Sequence, residues 1–340
     1  MKGTLAFFFL SIAAAGFAEE SPLKISPRAP EQGEVAKSKD KGILRGKEFD
    51  FLDRTKNQIY LIFAENLQII DSVASGGEEV KDKTFQNEFR FSPYLVIDGS
   101  DTTKVDLELD FSASIHLRRL QKKLKLIIDN GELAPLPGTQ PDEESQEAQI
   151  GLQKEIRKYV SARIGTKIGW PPVGYAIVST GKEFRAEEWH ITPSANAFYQ
   201  TDDNGFGTGQ NLYFGRWWDR YMFKSSSGIR ITEATQGFEW ASELTLARVV
   251  RLIEPSKDPP LISSRSMNQG LDLAYRISGH ISGSKTIDEH RVTLTYRYPI
   301  RKNWMFLVVS PEIRWERSNN WVPDERIRIG VDILFWGVTR

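Results

Sequence analysis

The sequence predicts an all-β protein, a transmembrane antiparallel up-and-down β-barrel of about 14 strands (about 12 to 16) with an N-terminal amphipathic helix. Three observations predict it: strict alternation of polar and apolar residues, its recurrence from residue 85 to the end of the chain, and an export signal at the start. The sharpest alternation is Lys104–Phe111, which reads KVDLELDF. Because neighbouring side chains of a strand point to opposite faces, one face is charged and the other apolar. A membrane barrel turns the apolar face to lipid and the charged face to its lumen.

The first residues have the features of a secretory signal peptide. A short apolar run over residues 5–15 is followed by small residues and then by Glu19–Glu20. This pattern predicts cleavage after Ala18, with Ala13 and Ala15 as an alternative frame. The chain has no cysteine, so we expect neither a lipoprotein anchor nor a disulfide framework. Its 45 basic and 45 acidic residues leave no electrostatic footprint for nucleic acid.

Between the signal and the barrel the composition changes twice. Residues 19–48 are rich in Glu, Lys, Ser and Pro, which predicts a disordered periplasmic linker. Residues 49–77 carry apolar residues at spacings of three and four and end on two glycines, the pattern of one amphipathic helix. Three roles stay open for this helix: a cap on the periplasmic end of the barrel, a plug in the lumen, or an element that binds a partner. The chain thus divides into a signal peptide (1–18), a linker (19–48), a helix (49–77), a barrel (85–337) and a tail (338–340).

Downstream of the helix, alternation defines about fourteen strands of about ten residues, an even number as bacterial barrels require. With the N-terminus in the periplasm, four connections fall outside the cell: 130–147, 201–207, 283–289 and 318–324. Residues 251–267, with three prolines, do not fit the usual short periplasmic turns, and their role stays open. The strands are expected at residues 85–98, 103–116, 122–129, 148–157, 159–169, 173–184, 187–201, 207–218, 221–234, 237–250, 268–281, 288–300, 303–316 and 325–336.

The last predicted strand carries the most specific motif. Arg328–Phe335 follows the pattern polar, any, Gly, any, any, apolar, any, apolar, defined by Arg328, Gly330, Ile333 and Phe335. It resembles the assembly signal that the barrel insertion machinery of the outer membrane reads, which implies that machinery as a partner. Such proteins often end on an aromatic residue, whereas here five further residues follow Phe335.

Two more segments, Asp202–Gly207 and Gly237–Trp240, resemble those of an uncharacterised group of proteobacterial outer-membrane barrel proteins. The resemblance extends over residues 50–337. It implies a location in the outer membrane of a Gram-negative bacterium, with lipid around the barrel, and it brings no known activity.

The inward phase of the strands puts charges of both signs into the lumen. Fourteen strands lie between small barrels that their own side chains fill and large ones with an aqueous channel. Rings of charge can select permeants. Alternatively, opposite charges pair across neighbouring strands and fill the lumen as structural ion pairs. The lumen residues singled out are Asp106, Glu108, Asp110, Glu239, Glu243, Arg297, Glu312, Arg314, Arg328 and Asp332.

These observations leave a channel and a structural protein as the main hypotheses. The first is a porin-like or gated channel for small hydrophilic solutes. The second is a structural or assembly protein of the envelope that anchors or docks a periplasmic partner. An outer-membrane hydrolase has little support, because His190 and Ser194, four residues apart on one strand, are separated by about 13 Å. We therefore expect no enzyme.

Neither a cofactor nor a metal site is expected. The four histidines show no metal-ligand spacing. Asp202–Asn204 could bind calcium at the cell surface, but Asp, Asn and Gly are also what a tight strand connection requires, and we favour the turn.

The start of the strand at 303–316 is apolar on both faces. Apolar side chains that point into a wet lumen need a cover, and this end of the strand is the periplasmic one in the predicted topology. We expect the N-terminal helix to supply that cover and to narrow or close the mouth. The predicted contact joins Ile59, Ile62, Phe63 and Ile70 of the helix to Trp304, Phe306 and Val308 of the strand.

Overall fold

The computed structural model describes residues 44, 49–59, 86–99, 104–116, 124–139, 147–202, 204–218, 220–235, 237–251, 269–282, 284–301 and 304–338. The predicted signal peptide, almost all of the linker, the second half of the predicted helix and nearly all of the loop at 251–267 lie outside these residues. Residues 50–59 are helical, and most other described residues are in strands. Within the described parts of the chain, no helix is both long and apolar enough to cross a membrane.

The strands form one antiparallel sheet that closes on itself. They are β1 (Gln86–Asp98), β2 (Lys104–His116), β3 (Leu124–Asp129), β4 (Ala148–Arg157), β5 (Val160–Ile168), β6 (Val173–Gly181), β7 (Phe184–Ala186), β8 (Trp189–Gln200), β9 (Phe206–Trp218), β10 (Tyr221–Thr232), β11 (Phe238–Arg251), β12 (Gln269–Ser282), β13 (Ser284–Arg301), β14 (Met305–Glu316) and β15 (Pro323–Val338). Sequential strands are neighbours around the sheet, and β1 pairs with β15 from Gln86↔Val338 to Asp98↔Arg326.

The short strand β7 continues β6. Both pair with β8 in one register, from Tyr175↔Gln200 in β6 to Ala186↔Trp189 in β7. Counted as one interrupted strand, they leave a closed barrel of 14 strands. The predicted up-and-down barrel and its strand count are therefore confirmed.

The two faces of the strands differ as the alternation predicts. On β2, Val105 and Leu107 point outward and are 57% and 68% exposed, whereas Glu108 points inward and is 4% exposed. On β14, Phe306 and Glu312 are buried on the inward face, while Ile313 is exposed on the outward one. An outer surface of exposed apolar side chains is what a lipid environment requires.

The predicted bounds differ most at the extracellular rim. A loop was expected over residues 283–289, but β12 and β13 stay paired as far as Ser282↔Ser284, so this part of the prediction is wrong. Side chains reinforce the extension: Thr286 Oγ1 donates to the backbone oxygen of His280 at 2.8 Å. Polar residues occupy both faces at this rim, and so the alternation that marks a strand is lost there.

Replacing Leu109, an outward residue near the middle of β2, by Arg should lower the free energy of unfolding in lipid by about 2 to 4 kcal/mol. The reason is that the arginine side chain would place a positive charge in the hydrocarbon of the membrane. Replacing the inward and exposed Asp106 by Asn should change stability far less. Urea unfolding in phospholipid vesicles measures both. Equal losses at the two positions would contradict the assignment of the faces.

Candidate functional site

The connection between β3 and β4 turns into the barrel. Its described residues, 130–139, are called the inward loop below. Asn130 starts it: the side-chain Nδ2 donates to the backbone oxygen of Leu109 at 2.7 Å, and Oδ1 accepts from the backbone N–H of Phe111 at 3.2 Å. The side-chain amide of Gln149 on β4 donates to the carbonyl of Gly131. These bonds fix the direction in which the chain leaves β3.

The tip of the inward loop is a tight turn over Leu136-Pro137-Gly138-Thr139. The backbone N–H of Thr139 donates to the carbonyl of Leu136 at 3.1 Å, and Gly138 has a φ of 68°. Proline at the second position and a positive-φ glycine at the third are the signature of a type II turn. Pro137 lies against Gly228 of β10, where a side chain would collide with the proline ring. This glycine therefore leaves room for the tip.

Three arginines hold the inward loop by its backbone carbonyls. The pairs are Arg230 of β10 with Ala134 at 3.4 Å, Arg276 of β12 with Pro137 at 3.0 Å, and Arg291 of β13 with Gly138. Hydrogen bonds from a cationic donor are stronger than neutral ones. Since β12 and β13 lie across the barrel from β3 and β4 in the strand order, the loop spans the lumen.

Each of these arginines also has carboxylate partners. The ion pairs are Arg230 with Glu132 at 2.5 Å and Glu239 at 2.7 Å, Arg276 with Glu289, and Arg291 with Glu289 at 3.6 Å and Glu312 at 3.7 Å. Carboxylates of the wall, and for Arg230 also Glu132 of the loop, thus neutralise the guanidinium groups, which also bind the loop carbonyls. Breaking a buried pair by removing one partner is costly, because the other charge is left unpaired.

An apolar contact holds the middle of the inward loop. Ala134 packs with Ile177 of β6 and Phe198 of β8 in a buried cluster. Leu133 and Leu136 of the loop are buried as well. The apolar side chains of the loop are thus packed away from water inside the barrel.

This position differs from the prediction, which put all of residues 130–147 outside the cell. For residues 130–139 that prediction is wrong. The stretch was interpreted from its acidic residues, but its described part is mostly apolar. A turn motif, Pro137–Gly138, beside the apolar Leu133 and Leu136 is the sequence signal that points inward.

A second cluster lies where β1 meets β15, and we call it the seam cluster: Arg90, Tyr94, Asp110, Arg297 and Asp332. The Asp332 carboxylate accepts from Arg90 at 3.0 Å, from the Tyr94 hydroxyl at 2.7 Å and from Arg297. Asp110 lies 3.9 Å from Arg90. Donors from β1 and β13 therefore converge on one carboxylate of β15.

The seam cluster extends along β2. Arg328 of β15 pairs with Glu108, and its guanidinium lies 5.6 Å from the centre of the Tyr94 ring. Asp106, one inward position further toward the extracellular end, is exposed. The wall formed by β15, β1 and β2 thus carries both signs of charge along its length.

The remaining predicted lumen residues also have oppositely charged neighbours. Glu243 lies 3.4 Å from Lys224, and Arg314 lies 3.0 Å from Asp324 and 3.1 Å from Glu316. Apart from Asp106, each predicted lumen residue has an ion-pair partner on its own or a nearby strand. The sequence left two interpretations of these charges, rings that select permeants and structural ion pairs. The structure shows that nearly all of them are in ion pairs.

Gly330 of the C-terminal motif faces Tyr94 across the seam. A side chain at this position would overlap the Tyr94 ring and the Pro93 carbonyl. The glycine therefore allows the ring to lie flat enough for its hydroxyl to reach Asp332. Ile333 and Phe335 of the same motif lie half-buried on β15.

At the end of the barrel that the sequence predicts to face the periplasm, Trp304, Phe306 and Val308 are all buried. The Arg297 guanidinium lies 4.6 Å from the centre of the Phe306 ring and covers it. The described contact with the N-terminal helix is polar, because Trp304 Nε1 donates to Asp53 at 2.9 Å. Of the helix residues predicted to pack here, Ile59 is 36% exposed, and Ile62, Phe63 and Ile70 lie outside the described residues.

Two further candidate sites have simple surroundings. His190 Nδ1 lies 2.7 Å from Glu183. Asp202 accepts a hydrogen bond from the backbone N–H of Asn204 at 3.1 Å, and Gly205 has a φ of 54°. These are features of the tight turn that the sequence favoured. Among the described residues, no group of three or more His, Asp or Glu is arranged to hold a metal ion.

No protein-family model and no curated protein matches the sequence. Several solved outer-membrane proteins are similar in fold. OprD from Pseudomonas aeruginosa is 8% identical, with a TM-score of 0.39 over 76% of this chain and 96% of its own. OccK2 of the same organism, in complex with glucuronate, is 8% identical, with a TM-score of 0.42 over 74% and 96%. A loop-deletion mutant of OmpT from Vibrio cholerae is 8% identical, with a TM-score of 0.39 over 74% and 100%.

The structure itself defines the class of protein. Its sheet closes without a free edge, its outer face is apolar and exposed, and its interior is charged. In hydrocarbon, strands are stable only when every backbone group is paired, and closure achieves this. The chain is therefore a transmembrane β-barrel of the outer-membrane type.

Replacing Gly330 by Ala should lower the free energy of unfolding by about 1 to 3 kcal/mol, because the added methyl group displaces the Tyr94 ring. Tyr94→Phe removes only the hydroxyl contact with Asp332 and should cost about 1 kcal/mol. Urea unfolding measures both. In a Tyr94→Ala background, Gly330→Ala should cost less, because only the overlap with the Pro93 carbonyl remains. An undiminished loss there would mean that the ring contact is not the cause.

Proposed function

We propose that this barrel is a channel for small hydrophilic solutes and that the inward loop sets its width. The observation that carries the proposal is the inward loop itself, bound across the lumen by Arg230, Arg276 and Arg291. A loop that only capped the barrel would not need charged anchors deep on the opposite wall. A fixed loop inside a polar lumen divides it and leaves a defined space beside it.

The remaining passage runs between the inward loop and the wall of β15, β1 and β2. The loop contacts described above reach β6, β8, β10, β12 and β13, with only its first residue bonded to β2. This leaves the wall of β15, β1 and β2 as the lining in this proposal, with Asp106 exposed on it and with Glu108 and Asp332 buried within it. Charges of both signs there suit polar solutes, and the order of charges along the wall sets the preference among ions.

Arg314 belongs to the extracellular end of the same passage. It lies between Asp324 and Glu316, close to the end of β14. Asp106, exposed on the inward face of β2, adds a negative charge at the same end. A solute that enters from outside therefore meets these groups before it reaches the seam cluster. Partners of the protein in this proposal are outer-membrane lipid and small solutes.

A structural role in the envelope is the second candidate, and one observation favours it. Arg301 at the periplasmic end of β13 binds the N-terminal segment through Asp50, Asp53 and the Leu44 carbonyl. A segment anchored in this way is suited to present a partner-binding element to the periplasm. For insertion, the motif on β15 supports recognition by the barrel assembly machinery.

The double variant Arg276→Gln with Glu289→Gln should raise single-channel conductance in planar bilayers. It removes an anchor of the inward loop, and a hydrogen bond from a charged donor contributes about 1.5 to 3 kcal/mol. Because both partners of the ion pair change, the lumen keeps its net charge and no buried charge is left alone. Conductance is compared with that of the parent at one salt concentration.

The matched control is Arg216→Gln with Glu188→Gln, which removes an ion pair outside both the inward loop and the proposed passage. Its conductance should stay near that of the parent. If the pure parent inserts without conducting, and the first double variant does not conduct either, the channel proposal is wrong and the structural role takes its place.

A further inference from the structure

Arg301 joins the N-terminal segment to the barrel. Its side chain, 3% exposed, donates to Asp50 at 2.9 Å, to Asp53 at 2.7 Å and to the backbone oxygen of Leu44 at 2.9 Å. The backbone N–H of Leu44 in turn donates to the carbonyl of Ile300 at 2.9 Å. One buried guanidinium therefore binds three groups of a segment that is about 250 residues away along the chain.

Trp304 places this contact on the inner side of the mouth. Its carbonyl accepts from the backbone N–H of Leu334, so it continues the ladder between β14 and β15 in the inward phase of Phe306. The indole Nε1 donates to Asp53 at 2.9 Å, and Lys56 Nζ lies 5.8 Å from the centre of the ring. The first turns of the helix therefore face the opening of the lumen.

In the described part of the helix, residues 50–59, two of the three apolar side chains are exposed. Phe51 is 57% exposed and Ile59 is 36% exposed, so the apolar side chains at both ends of the described helix contribute little burial. Asp50 is also accessible, with 46% of its side chain exposed. Within the described residues, the attachment therefore depends on polar bonds centred on Arg301, and its partner Asp50 is accessible to water. Opening of such a local segment costs less than global unfolding.

We propose that Asp50, Asp53, Arg301 and Trp304 form a latch that holds the helix across the periplasmic mouth and restricts solute passage, and that its release widens the mouth. The latch rests on the proposed channel function, whose width it would regulate. The regulated end is distinct from the inward loop, which lies toward the extracellular side.

Docking is tested on the full chain with the variant Asp50→Asn plus Asp53→Asn. Both residues precede the first strand, so the barrel itself is unchanged. Cleavage after Lys56 by a lysine-specific endoprotease, followed by mass spectrometry, should be faster than in the parent, because cleavage of a docked segment follows the population that is released. The matched control is Arg54→Gln, a single-charge change at an exposed position of the same helix, and its cleavage after Lys56 should match the parent.

Restriction is tested by conductance of the same three proteins. The latch variant should conduct more than the parent, and Arg54→Gln should equal it. All three proteins are compared at one salt concentration, because salt only weakly screens a buried ion pair such as that of Arg301.

The outcomes separate the latch from the channel. Unchanged cleavage after Lys56 in the latch variant overturns docking through this cluster. Faster cleavage with parental conductance, in a protein whose Arg276→Gln plus Glu289→Gln variant does conduct more, overturns the latch and leaves the channel intact. If the parent and every variant fail to conduct after insertion, the channel proposal fails and the latch fails with it.

Discussion

The pairing of β1 with β15 is the interaction on which the rest of the structure depends. It runs from Gln86↔Val338 to Asp98↔Arg326 and removes the two free edges that an open sheet would expose to hydrocarbon. It also creates the seam cluster, since Asp332 meets Arg90 and Tyr94 only when the first and last strands are neighbours. Closure and the chemistry of the lumen are therefore consequences of the same contact.

The wall and the inward loop are coupled through shared arginines. Arg276 binds Glu289 on the wall and the Pro137 carbonyl on the loop at the same time, and Arg291 does the same with Glu312 and Gly138. The carboxylates orient the guanidinium groups, and so the loop is held by groups that are already fixed. Replacing Glu289 or Glu312 would therefore alter the position of the loop through Arg276 or Arg291, without a direct contact between the acid and the loop.

Alternation predicted the strands well because the two faces meet chemically different surroundings, lipid and a polar lumen. The faces of β2 could be assigned from the sequence alone, with Val105, Leu107 and Leu109 on one side and Glu108 on the other. Alternation did not predict the outer ends of β12 and β13, because polar residues lie on both faces there. Helix 50–59 was predictable from local spacing in the same way.

The contacts of the candidate site could not be predicted, because they join residues far apart in the sequence. No periodic pattern in the sequence indicates that Pro137 contacts Arg276 or that Asp53 contacts Arg301. Composition even misled in the first case, since acidic residues suggested an external loop while Leu133 and Leu136 required a buried position. In the second case, Asp53 contacts Arg301 and Trp304 at the strand end that the sequence indicated, and three of the four helix residues predicted to pack there lie outside the described residues.

The position of Arg301 has a consequence for the order of assembly. Its partners Asp50 and Asp53 are made early, whereas Arg301 and Trp304 belong to the last hairpin before the closing strand. The N-terminal segment can therefore reach its bound position only after most of the chain has been translated and inserted. Contacts that close a chain segment of this length form late. The N-terminal segment is consequently among the last parts of the chain to reach its place against the barrel.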